Sequence, residues 1–158
     1  MNQNMINDNI RITLPPEFHL LDPEEKKKLY AESVVIPQWG AYDPDRHMIF
    51  SASWKQMNSI LAMMACSMDG AKGLQRRMKA ALRGRNYRFC EYFKGQLGNK
   101  KTFGFTFIYQ GKEVEYLNRA IMVRDGGCIY YLASQIPTDL GNEAKTVMDG
   151  IWQSLSMD

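Results

Sequence analysis

Catalysis needs a proton carrier, a nucleophile or a metal ligand held in a fixed constellation, and few residues of this chain qualify. Its two histidines, His19 and His47, stand 28 positions apart. Neither has the HxxxH or HExxH spacing that sets two zinc ligands on one helix face. Asp43 and Asp45 would open a calcium loop, but Met48 and Trp54 stand where such a loop needs glycine and glutamate, which excludes calcium. No GxSxG elbow, Walker loop or GxGxxG fingerprint occurs. Glu113 and Glu115 share a strand face, where such a pair reads as an exposed edge rather than an acid–base couple. Cys66, Cys90 and Cys128 are odd in number, form no CxxC pair and lie in apolar or aromatic runs, so they read as reduced, buried thiols. One enzymatic constellation is left, a pocket gathering Tyr42, Asp43 or Asp45, and His47. The expectation is a protein that is not an enzyme and takes no metal or cofactor.

Binding chemistry is better represented. Between Met68 and Lys101 ten basic residues face only Asp69 and Glu91, a local balance of +8 in a chain whose net charge is +3. Lys72, Arg76, Lys79 and Arg83 recur at helical spacing within it, near Tyr87, Tyr92 and Phe93. Such a stripe suits an acidic partner or nucleic acid, although the plain reading is a solvated helix face. Met57, Met63, Met64, Met68 and Met78 cluster in the same region. Flexible thioethers fill irregular cores, and core filling is the reading adopted here; exposed, they would line an adaptable groove for an apolar peptide.

The elements that position these residues centre on Lys101 to Ser134, which reads as three antiparallel strands. Glycines at Gln110-Gly111-Lys112 and Asp125-Gly126-Gly127 supply the positive φ that hairpin turns need. Phe103, Phe105, Phe107 and Tyr109 alternate with Thr102, Gly104, Thr106 and Ile108, so aromatics take one face and mainly small residues the other. Leu117, Ile121 and Val123 oppose Val114, Tyr116, Ala120 and Met122; Cys128, Tyr130 and Leu132 oppose Ile129, Tyr131 and Ala133. A sheet apolar on both faces requires a layer on each side, so three layers are expected.

Around this meander, Met1 to Asp8 is polar and reads as frayed, and Ile10, Ile12 and Leu14 alternate as a short strand. Asp22-Pro23-Glu24-Glu25 spells a helix start, and that helix runs to about Tyr30 with Lys26, Lys27 and Lys28 toward its end. Ser33 to Trp39 is strand-like at Val34-Val35-Ile36 but limited by Pro37 to an edge or loop. A turn at Tyr42 to Arg46 leads into a strand through Met48, Phe50, Ala52 and Trp54, and Met57 to Met68 forms a buried helical turn or a loop over the core. An amphipathic helix spans Gly70 to Gly84 with Ala71, Leu74, Met78, Ala81 and Leu82 as its apolar stripe. An aromatic strand follows at Tyr87 to Phe93. A last helix, from about Asn142 to Leu155, presents Ala144, Val147, Met148, Ile151, Trp152 and Leu155.

With 158 residues, 45% hydrophobic and 23% charged, the chain is sized and composed as one folded domain over 1–158. The start, MNQNMINDNIRITL, shows no signal peptide, and the longest apolar run, Ile60 to Cys66, is too short to span a membrane. A soluble, cytoplasmic protein is expected.

The order of the pieces resembles the PsbP-like α/β/α family, which includes the extrinsic photosystem II subunit, a yeast Ran-binding import factor and small bacterial proteins. Ile12 to Phe18, Phe103 to Tyr109, Arg119 to Val123, Tyr130 to Leu132 and Ile151 to Leu155 carry the likeness. The resemblance implies an α/β fold of α+β type, an antiparallel meander between helices, and a binding, assembly or chaperone-like role with no catalytic motif. It implies a small bacterial member, since the chain lacks the targeting segment of the photosynthetic ones. The reading is an intracellular adaptor for a protein partner, with Lys72, Arg76, Lys79, Arg83, Met57, Met63 and Met64 as candidate contacts. The alternative is a polyanion or nucleic-acid binder using the basic stripe.

Overall fold

Three long strands with apolar residues on both faces form the centre of the molecule, as the alternation requires. The computed structural model describes residues 1–31 and 36–157. The three strands are β7 (Lys100–Gln110), β8 (Glu115–Asp125) and β9 (Cys128–Pro137). On one side β9 pairs with β5 (Met48–Gln56), which continues to β4 (Trp39–Asp43) and β3 (His19–Leu20); on the other, β7 pairs with β6 (Arg88–Leu97). The seven strands run β3-β4-β5-β9-β8-β7-β6, and every pairing is antiparallel.

Both faces are covered. One carries α3 (Met68–Ala81), whose Leu74 and Met78 pack with Leu82 against Phe105, Phe107 and Ala120, next to the short helix α2 (Ser59–Ala65). The opposite face carries α4 (Gly141–Ser154) and a second, three-stranded sheet of β1 (Asn2–Ile6), β2 (Ile10–Leu14) and β10 (Ser156–Met157). Ile6, Ile10, Ile12 and Leu14 join Ala144, Met148, Ile151 and Trp152 over Phe50, Val123, Tyr130 and Leu132 in the larger core. The α/β/α expectation holds, with the small sheet completing one outer layer.

Several local readings are corrected. Met1 to Asp8 is not frayed: Asn2–Ile6 pairs with Ile10–Leu14, and Ile6 is fully buried. Asn7 and Asp8 turn the chain at φ 50° and 54°, a region that Asn and Asp tolerate. Gly111 lacks the expected positive φ, which Gly126 has at 59°. Glycine at 111 is instead required by space, because a Cβ would lie 2.5 Å from the Tyr116 ring. Glu113 falls in the turn before β8, and Glu115 pairs with Arg88 and accepts from Thr138 Oγ1, so the two carboxylates form no common face. The basic helix starts at Met68, capped by the Ser67 hydroxyl, and stops at Ala81; Arg83 lies beyond it, and Ala81 is exposed while Gln75 is buried. The first helix, α1 (Pro23–Leu29), has the expected capping box between Asp22 and Glu25. The reading of Ser33 to Val35 lies outside the described residues, and β4 begins at Trp39. Of the three free cysteines only Cys128 is buried; Cys66 is half-buried and Cys90 exposed.

Candidate functional site

The methionine-rich segment folds as α2, with Asn58 Oδ1 accepting from the Ile60 and Leu61 amides at its start. Core filling is overturned for Met63 and Met64, whereas Met57, Met68 and Met78 are half-buried and Met78 packs against Phe105 and Phe107. Only Ala62 is buried, while Ile60, Leu61, Met63 and Met64 are 64%, 57%, 54% and 66% exposed. The reason is length: a seven-residue helix between the ends of β5 and α3 rests on the core through one small side chain. Its larger residues have no covering element among those described. Four large apolar side chains on two turns form a patch of the kind that marks an interaction surface.

Met63 also lines a cleft of about 430 Å³ with Cys66, Asn99, Lys100, Lys101, Phe103 and Arg124. The apolar patch therefore borders basic groups. Lys100 reaches Asp125 at 3.5 Å, and Arg124 Nη1 donates to the Gly126 carbonyl at 3.2 Å. Burial pushes the Cys66 thiol up, against the pull of Arg124. Met57 does not join the patch: it is half-buried, and its amide donates to the Gly127 carbonyl at 2.8 Å. Lys72, Arg76, Lys79 and Arg83 are all exposed on or just after α3, and Lys72 Nζ lies 5.9 Å from the centre of the Tyr92 ring. The patch and the basic row flank the Ser67 turn. Ile60 and Leu61 were absent from the candidates because an apolar run with no polar alternation gives no sign of which face is outward.

Of the enzymatic constellation, Tyr42 and His47 come together, whereas the two aspartates are placed differently. Tyr42 Oη and His47 Nδ1 are 2.9 Å apart, but neither residue lines either of the two described clefts. Asp43 is buried and committed to the turn: it accepts from the Asp45 and Arg46 amides and pairs with Arg46 Nε at 2.7 Å. Asp45 is exposed. Among the described residues no group of three His, Cys, Asp or Glu could hold a metal ion.

A second cleft, about 470 Å³, opens between α4 and the outer half of the sheet. It follows from the small-residue face of β7. Cross-strand pairing aligns Glu91, Thr106, Arg119, Ser134 and Phe50 in one row, and Phe93, Gly104, Ile121, Leu132 and Ala52 in the next. Trp152 of α4 lies edge-on to Phe50 at 4.8 Å and donates its indole N–H to Ser134 Oγ at 2.9 Å. The helix thus stops short of Thr106 and Glu91. Gly104 lets Phe93 approach, since a Cβ there would lie 2.6 Å from the ring and 2.4 Å from the Ala120 carbonyl. Arg119 sits between these walls, its guanidinium carbon 4.9 Å from the Phe93 ring centre and 4.7 Å from that of Trp152. Burial pulls its pKa below the ordinary arginine value, with Asp149 acting in the opposite direction. The sequence carried a signal for this site: Arg119 shares its strand face with Leu117, Ile121 and Val123, a charge on an apolar row.

The architecture is thus an α/β sandwich about an antiparallel sheet, and its fold is PsbP-like. The solution structure of cyanobacterial PsbP from Synechocystis sp. PCC 6803 superposes with a TM-score of 0.72 at 12% identity, covering 99% of this chain and 92% of that one. LpqN of Mycobacterium tuberculosis, described as involved in cell envelope biogenesis, gives 0.58 at 17% identity over 94% of this chain and 82% of its own. A Bacteroides thetaiotaomicron protein gives 0.57 at 12% identity over 96% of this chain and 46% of its own. By sequence, no family model matches and no curated protein is found to be similar. Among the described residues no helix is long and apolar enough to cross a membrane.

Proposed function

We propose that this protein is a non-enzymatic, cytoplasmic protein-binding module of adaptor or chaperone type, whose α2 surface docks an acidic, amphipathic segment of a partner protein. The observation that carries the reading is the exposure of Ile60, Leu61, Met63 and Met64 together on one short helix. Thioether and branched side chains adapt to apolar anchors of varied shape. Lys100, Lys101 and Arg124 beside Met63 favour a segment whose polar face is acidic. The exposed row Lys72, Arg76, Lys79 and Arg83 extends the same preference along α3.

The test is fluorescence anisotropy with a labelled amphipathic helical peptide of leucine and glutamate, beside its leucine–lysine counterpart. The expected result is saturable binding of the acidic peptide, weakened roughly tenfold or more by Leu61→Glu with Met64→Glu. Equal binding of the basic peptide would overturn the reading, as would a double variant that binds unchanged. Three other occupants serve as controls: a single-stranded oligonucleotide, phosphatidylserine vesicles and a second copy of the chain. Salt-sensitive oligonucleotide binding lost in Arg76→Glu with Lys79→Glu would replace the proposal with the polyanion reading. Preferential vesicle binding or dimerisation through α2 would replace it too.

A further inference from the structure

We infer that the cleft between α4 and the outer sheet is a second, separate binding site, for a small monocarboxylate with an apolar body held by Arg119. The guanidinium is half-buried on the cleft floor. Among the described residues it has cation–π contacts with Phe93 and Trp152 but neither a hydrogen bond nor an ion pair. A guanidinium lying against two rings still presents a planar edge of N–H donors, and that edge matches the two oxygens of a carboxylate. Rings from the edge strand and from α4 occupy its surroundings, so a ligand meets the remaining donor edge from the open cleft.

The lining sets the rest of the ligand. Phe93, Leu117, Ile136, Met148 and Trp152 offer apolar and aromatic surface, and a cleft near 470 Å³ falls within the range that holds small organic molecules. Glu91 and Asp149 line the same space and offset Arg119 and Lys145, leaving the cleft balanced in charge. A dianion such as a phosphate monoester would set a second negative charge beside Glu91 and Asp149 with no further cation to meet it, so a monoanion held through the Arg119 donors fits the cleft better. The carboxylate could belong to a free arylalkanoate or to the C-terminus of a peptide ending in an aromatic residue; the chemistry at Arg119 is the same.

The experiment uses the wild-type chain and follows the indole N–H resonance of Trp152, which already donates to Ser134 and so reports on the cleft wall. Phenylacetate, phenylethanol, phenethylamine and phenyl phosphate are titrated in turn. The expected outcome is a saturable shift with phenylacetate, at an affinity roughly tenfold or more above those of the other three. N-acetylphenylalanine and its amide distinguish the sources: tight binding of the acid alone assigns a peptide terminus, whereas preference for phenylacetate assigns a free ligand. Arg119→Met should abolish the preference for phenylacetate over phenylethanol, and Arg119→Lys should restore part of it. Equal affinities for phenylacetate and phenylethanol in the wild type would overturn the inference, as would tightest binding of phenyl phosphate. An absence of any saturable shift would do the same. None of these wild-type outcomes depends on the variants folding, and none involves α2, so failure here leaves the docking proposal untouched.

Discussion

Tyr109 shows how much a single position can depend on its surroundings. It lies at the sheet face under α3, its hydroxyl donating to Gln135 Oε1 at 2.7 Å, and burial with Tyr116 nearby pushes its pKa from 10.0 up to about 12. The folded state therefore holds the phenol neutral where the unfolded chain has begun to ionise it. The associated stability is fully present below pH 10 and is lost as the pH rises through about 12. Denaturant titrations at stepped alkaline pH should show this loss, reaching about 3 kcal/mol, with Tyr109→Phe giving a shallower slope than wild type. An identical slope in the variant would mean that another buried tyrosine dominates. At this scale the sequence was legible in part: alternation along β7 put Tyr109 on the aromatic face, but its partners Gln135 and Tyr116 come from other strands. Arg119 makes the same point. Its inward position could be counted along β8, whereas its two aromatic neighbours come from β6 and α4.

Among elements, those specified by a local pattern matched their reading, whereas the outward face of α2 did not. The capping box of α1 and the apolar face of α4 are local patterns, complete within a few residues. The face of α2 is not local, because whether Ile60 or Ala62 points inward depends on where β5 ends and α3 begins. Strand β7 carries a sharper test. Gly104 has neighbours at 2.4 Å and 2.6 Å from the place of an added Cβ, one of them the backbone carbonyl of Ala120. Gly104→Ala must separate β7 from β8 or displace Phe93, and it should cost about 2 kcal/mol or more by chemical denaturation. Gly126→Ala, with open space around it and φ at 59°, should cost less, about 1 kcal/mol. A Gly104 variant as stable as wild type would show that the sheet yields there, and that the approach of Phe93 to Arg119 is not built on glycine.

For the whole molecule, β1 and β10 are structural parts. β2 is flanked by β1 and β10, so residues from both ends of the described chain close one outer layer. Ile6 is fully buried in the larger core, while Met5, one residue earlier, is 41% exposed. Ile6→Ala should lower unfolding free energy by about 3 kcal/mol, and Met5→Ala by no more than about 0.5 kcal/mol, measured by urea titration. Comparable small effects would restore the reading of a frayed start. That reading arose because Asn2, Gln3, Asn4, Asn7 and Asp8 are polar; a strand on the rim of a small sheet needs only one inward residue in two, and here Ile6 supplies the decisive one.

What the sequence determined by itself was the three-layer plan. Period-two alternation on both faces of three consecutive strands demands cover on two sides, and two amphipathic helices were available to give it. The absence of the HExxH, calcium-loop, Walker and GxGxxG spacings was equally readable, because those particular motifs are local. Only the tertiary structure decided which apolar segment is left uncovered and that Arg119 is half-buried in a cleft. Both depend on which elements end beside one another, and α4 ending short of the sheet's edge creates the cleft around Arg119. Burial is a property of neighbours distant in sequence, so the candidate sites became visible only when the chain had closed on itself.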